Sequence, residues 1–242
     1  YPALVQREGR YVLAAALLLM CGMGLGAGVV AAEPRGAELL VPAAIRASLE
    51  AHELWTDSLL AVAPESASAS IATNNLAVLG SLFAGGLLLG LGPVALLTFN
   101  GAHLGAVLAC AHHHGMLGAL LGFVAAHGPV ELSVLVLAGA AGLVLGHAVL
   151  EPGEWSRAEA LRRRGRDAVL LALGAAPALA AIAVLEGYVS PGTWLPAGLK
   201  AALGLALAAA GWSYLLRSGA PSAGSARARD ARALSRSDNT AS

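Results

Sequence analysis

Apolar residues run almost without interruption over 11–31, 71–150, 168–185 and 197–216. A helix of about 20 apolar residues crosses the ~30 Å hydrocarbon core of a bilayer. The block 71–150 is too long for one crossing and suits three, placed at 74–97, 99–112 and 117–149. At about 1.5 Å per residue the last of these is longer than the hydrocarbon core. Gly128-Pro129 lies inside it, and a proline removes a donor and clashes with the preceding turn, breaking or kinking a helix. The pattern predicts an all-α polytopic transmembrane helix bundle of about six spans, with one broken or re-entrant helix near Gly128-Pro129.

Between these runs the chain is polar. Residues 1–32 carry the first span, whose Gly22, Gly24, Gly26 and Gly28 suit close helix contact. Residues 33–70 hold six acids and two arginines. Within them 37–60 places Leu39, Leu40, Ile45, Leu49, Leu54, Leu59 and Leu60 as an amphipathic helix would, lying on the membrane or packed on the bundle. Residues 64–70 read as a small-residue linker. A basic loop follows at 151–167, with Arg157, Arg162, Arg163, Arg164 and Arg166. The last two spans occupy 168–216, and 217–242 is a Ser/Ala/Arg-rich tail of disordered composition.

Composition agrees with the pattern. Hydrophobic residues make up 57% of the 242 and charged residues 12%, about half the charge of an ordinary soluble chain; mean hydropathy is +0.69. Net charge is zero, but its distribution sets an orientation. Arg7 and Arg10, the 151–167 loop and the tail are basic, whereas 33–70 is acidic and 186–196 has no Lys or Arg. Positive charge marks the cytosolic side, so the expected arrangement is a multi-pass protein of the bacterial inner membrane. Both termini and the basic loop are then cytosolic, and 33–70 is extracytoplasmic. Trp155, Tyr188, Trp194, Trp212 and Tyr214 fall near expected span ends, as an aromatic belt does. The first span is read as retained rather than cleaved. The chain starts at Tyr1 rather than Met, so a fragment or processed form is expected.

Glu131 is the only formally charged residue between Glu65 and Glu151. His127 precedes it by four residues, the spacing that puts two side chains on one helix face. An ionisable group at membrane depth normally faces a partner or a wet cavity and marks function. Three readings stay open for the pair: a structural group at the broken helix, a proton or ion relay, and a metal site. The His-x-x-x-Glu spacing is not the zincin pattern. Asn100 and His103 share a face and either line the same cavity or bond across helices. Asn74 and Asn75 cap or line the outer end of the second span. His112, His113 and His114 fall at an expected turn, where exposed histidines bind metal adventitiously. His147 lies near a span end, where it snorkels or pairs with Glu151. Small-xxx-small steps at Gly86/Gly90, Gly101/Gly105, Gly118/Gly122 and Gly142/Gly146 predict tight helix packing.

Only Cys21 and Cys110 occur, both in apolar runs, with neither a disulfide framework nor metal spacing. No nucleotide loop, nucleophile elbow or nucleic-acid signature is present. The reading contains no catalytic residue, cofactor or metal, and no nucleic-acid partner.

Over roughly residues 50–150, one combination of motifs is specific. It comprises Asn74-Asn75, the glycine run, Asn100-Gly101 with Gly105, His127-Gly128 with Glu131-Leu132, and Ala138-Gly139-Ala140-Ala141-Gly142-Leu143. Together they resemble the stage II sporulation protein M family of integral membrane proteins. In spore-forming bacteria the namesake works with a peptidoglycan hydrolase and another membrane protein in septal wall remodelling and engulfment. Relatives commonly stand beside MoxR-type ATPases and von Willebrand-type partners. The resemblance implies a membrane scaffold or assembly factor of an envelope complex; the dense small-xxx-small steps also admit packing between copies, as a homo-oligomer. The residues themselves also admit a small transporter or channel coupled through Glu131 and His127, or an intramembrane metalloenzyme.

Overall fold

The computed structural model of the chain describes residues 1–55, 64–192 and 194–217. Among them all regular structure is helical: α1 (Pro2–Arg7), α2 (Gly9–Ala32), α3 (Ala37–Leu40), α4 (Ala43–Glu50), α5 (Pro64–Ala84), α6 (Leu91–His113), α7 (Leu117–Val124), α8 (Gly128–Leu150), α9 (Arg157–Gly174), α10 (Ala176–Val184) and α11 (Ala197–Arg217). Among the described residues, five segments are long and apolar enough to cross a membrane: α2, α6, α8, α11 and the run Arg157–Val189, which joins α9, α10 and a π-helical turn. That run bends at Ala175, where Pro177 enters the next helix without a backbone donor.

Six spans were expected, and the sixth helix is α5. It lies against α8 and α10 in the same bundle but carries Ser, Thr and Asn and is not among the five. Its bounds also differ from the expected 74–97. The helix starts at Pro64, inside the expected linker, and stops at Ala84. Gly85–Leu87 tightens to a 3₁₀ turn, and Leu89 and Gly90, with φ of 57° and 79°, reverse the chain into α6. The apolar pattern hides this turn because Leu87, Leu88 and Leu89 are as apolar as a span; left-handed backbone at Gly90 ends the helix regardless. The next span accordingly begins at Leu91 instead of 99.

The expected amphipathic helix over 37–60 is also divided. Pro34–Gly36 forms a 3₁₀ turn, and Pro42 separates α3 from α4. Leu59 and Leu60 lie outside the described residues. Leu49 is fully buried, and Leu40 and Ile45 pack with it against the far ends of α2 and α6, so this segment covers that end of the bundle. The basic loop is shorter than expected, because α9 starts at Arg157. There Ser156 Oγ accepts the Glu159 N–H at 3.2 Å as an N-cap.

Glycine seams set the helix directions. Gly22 and Gly26 lie directly on the backbone of Thr98 and Ala102, and Gly101 and Gly105 on that of Leu19 and Met23, so α2 and α6 run parallel. Gly86 meets Gly142 and Gly90 meets Gly146, while Gly139 faces Leu97; α8 therefore runs opposite to α6. Gly204 sits on Ala125 and Ala126, and Trp212 reaches Ser133, which makes α11 run with α8. Three of the four small-xxx-small steps serve these seams. Gly118 has open space and Gly122 only an ordinary contact with Ala197. A helix apolar all round belongs at the centre, and α8 is there, touched by α2, α5, α6, α9 and α11.

This geometry gathers Arg7, Arg10, Arg164, Glu151 and Arg217 at one end of the bundle, and 33–55, Gly115 and Ser190 at the other. With Cys21 and Cys110 replaced by Ala, single cysteines at Ala47 and Glu154 are expected to react with membrane-impermeant reagents from opposite sides. Labelling of both from the same side would refute that topology.

Candidate functional site

The break between α7 and α8 builds the site. Residues Ala125 to His127 form a turn, His127 is the N-cap residue of α8, and Pro129 stands in its first turn. Proline fits there because its missing N–H would have no partner in that turn. His127 is buried, 3% exposed. Its Nδ1 and Ser190 Oγ lie 2.8 Å apart in a buried hydrogen bond, and the Phe123 ring packs edge-on against the imidazole. Ser190 ends the π-helical turn Leu185–Val189. Its carbonyl accepts a 2.7 Å hydrogen bond from Lys200 Nζ, which α11 delivers from its first turn. A cation beside a terminal carbonyl also complements the negative end of the helix dipole.

One turn into α8, Glu131 lies within hydrogen-bonding reach of the Asn75 side chain on α5. A cavity of about 10 Å³ adjoins them, lined by Leu79, Leu135 and Leu179 among others; that is room for about one water. Glu186, on the π-helical turn, lies within electrostatic reach of Glu131, and its buried Oε2 has no hydrogen-bond partner among the described residues. Five segments thus contribute polar groups at the same end of the bundle: α5 with Asn75, the α7–α8 break with His127, α8 with Glu131, the π turn with Glu186 and Ser190, and α11 with Lys200.

Not all the expected members are here. His127 binds Ser190 rather than Glu131, because an N-cap side chain leaves the helix at a different angle from a residue inside it. Asn100 turns back on its own helix, donating to the Leu96 carbonyl at 2.7 Å. His103 Nδ1 donates to the Leu40 carbonyl at 2.7 Å, tying α6 to α3. Asn100 and His103 therefore spend their side-chain hydrogen bonds elsewhere and are not bonded to Glu131. Asn74 is exposed, whereas its neighbour Asn75 points inward. His114 bonds back to the Cys110 carbonyl at 2.9 Å. Among the described residues no three His, Cys, Asp or Glu side chains are grouped to hold a metal.

Sequence reasoning passed over Lys200, although it is the only lysine in the chain and sits in an apolar run, which was signal enough. It also passed over Glu8, 2% exposed, at the opposite end. Glu8 accepts two hydrogen bonds from Arg164, at 3.0 and 2.8 Å, and one from Arg7 at 3.0 Å. Arg7 reaches Asp167 as well, at 2.6 Å; Asp167 first and Glu8 second hold its guanidinium pKa above the ordinary value. His147 Nε2 lies 3.7 Å from Glu151, as its position suggested, and its ring meets Tyr11 edge-on. This network locks α1 and α2 to α9.

Comparison with protein families matches residues 15–191 to the family described as stage II sporulation protein M. No curated protein and no solved structure matches.

Proposed function

This chain belongs to the stage II sporulation protein M family, and from that premise we propose that it is an integral membrane scaffold or assembly factor of a bacterial envelope complex. The complex would be of the peptidoglycan-remodelling type, with a MoxR-type ATPase or a von Willebrand-type protein as the expected class of partner. In this reading the protein resides in the inner membrane with the arginine-rich end cytosolic, and it catalyses no reaction itself.

The observation that supports it is how the buried polar groups are used. Asn75, His127, Ser190 and Lys200 each bind a group on another segment, so they fix helices relative to one another. Interhelical hydrogen bonds in membranes contribute about 0.6 kcal/mol each on average and up to 1–2, and several together specify one arrangement rather than supply most of the stability. A bundle held rigid in this way presents a fixed surface to partners.

A second reading, a small transporter or channel, draws on Glu131 and Glu186, two acids at membrane depth with one unpartnered oxygen. Charge removal separates the two. Glu131→Gln keeps the shape and the Asn75 contact, whereas Glu131→Ala leaves Asn75 unpaired at about 1–3 kcal/mol. A scaffold should retain its co-purified partners with Gln and lose them with Ala. A proton-coupled carrier should keep its partners and fold with both and lose flux with both. Unchanged co-purification and growth with Glu131→Ala would defeat the role given to this residue.

A further inference from the structure

We propose that the cleft between α8, α9–α10 and α11 binds one anionic phospholipid, with an acyl chain in the cleft and the phosphate at Arg166. The cavity measures about 670 Å³, within the range of sites that enclose a small ligand. Its walls include Val134, Leu137, Leu173, Ala178, Ala208 and Gly211, all within membrane-spanning segments.

The polar atoms at the cleft are already used. Trp212 Nε1 donates to Ser133 Oγ at 2.9 Å, and that hydroxyl donates to the Pro129 carbonyl at 2.8 Å. Tyr1 Oη, also at the cleft, donates to the Leu171 carbonyl at 2.9 Å, so an occupant at this depth is offered few hydrogen bonds. An extended peptide would leave its N–H and C=O groups unpaired in hydrocarbon, whereas an acyl chain has none to satisfy.

The charge at the mouth chooses the headgroup. Leu170 and Leu173 line the cleft, and Arg166 precedes Leu170 by four residues, so it extends the same face of α9 toward the arginine-rich end. Its neighbours are committed: Arg163 to Glu159 at 2.6 Å and Arg164 to Glu8 at 2.8 Å. Arg166 is exposed and has no ion pair among the described residues. A guanidinium binds phosphate through paired N–H groups, and a net anionic headgroup places no second cation beside it.

Native mass spectrometry of the full chain in detergent tests this, using phosphatidylglycerol and phosphatidylcholine with identical chains. The wild type should retain one phosphatidylglycerol roughly fivefold more readily than phosphatidylcholine, the effect of a single arginine at a charged headgroup. Arg166→Gln should bring the two lipids to parity. Ala208→Phe, which fills the cleft, should lower retention of both; if it does not elute as the wild type, Ala178→Phe gives the same measurement. Parity in the wild type, preference surviving in Arg166→Gln, or undiminished binding in the filled variants would overturn the proposal. So would a second copy of the chain or a partner helix covering the cleft with no lipid retained.

Discussion

Gly26→Leu is expected to disrupt the bundle, while Gly24→Leu, two residues away on the same helix, should be tolerated. A Cβ at Gly26 would fall on the Ala102 backbone, whereas one at Gly24 meets nothing within 4 Å. The obstacle is main chain, which cannot rotate aside as a side chain can. The α2–α6 seam must therefore open along its length, taking Gly22, Gly101 and Gly105 out of contact as well. Overpacking ordinarily costs about 1–3 kcal/mol, and a leucine set against backbone belongs at or above the top of that range. Leucine at Gly24 faces outward and gains up to about 1 kcal/mol of helix propensity. Unfolding of the purified protein in mixed micelles with rising dodecyl sulfate measures both. Equal midpoints for the two variants would show that the seam does not hold the helices.

Glu8→Gln should produce the other large loss. Glu8 is a buried carboxylate between two guanidinium groups, and removing one partner of a buried ion pair costs about 3–5 kcal/mol because the remaining charge is left without compensation. The lower end applies here: Arg164 is 32% exposed and keeps Asp167 at 4.0 Å. We expect about 3 kcal/mol in the same denaturation measurement. Glu8→Gln combined with Arg164→Gln should lose less than the sum of the single changes, since neither charge is then stranded. Strict additivity would mean that the two residues stabilise the fold independently.

The membrane class, the helical architecture and the family were legible in the sequence, as was the helix break beside Gly128-Pro129. Each depends on local or compositional physics. Long apolar runs are forced into helices by the lack of water to satisfy the backbone, and proline acts on its own turn. The turn at Gly85–Gly90 was not legible, because its residues are as apolar as the spans on either side. Nor was the membership of the polar site.

Sequence alone determined that Glu131 and His127 are exceptional, since one acid in eighty apolar residues is visible without coordinates. It did not determine what they touch. Spacing of four suggested that His127 and Glu131 face each other, and a shared polar character suggested Asn100 and His103 as company. The tertiary structure assigned His127 to Ser190, Glu131 to Asn75, and His103 to the Leu40 carbonyl. Those partners lie up to 63 residues away in the chain, and their pairing depends on which glycine seams close and in which direction each helix runs. Periodicity within one helix says which residues share a face; only the packing of helices against each other decides what that face meets.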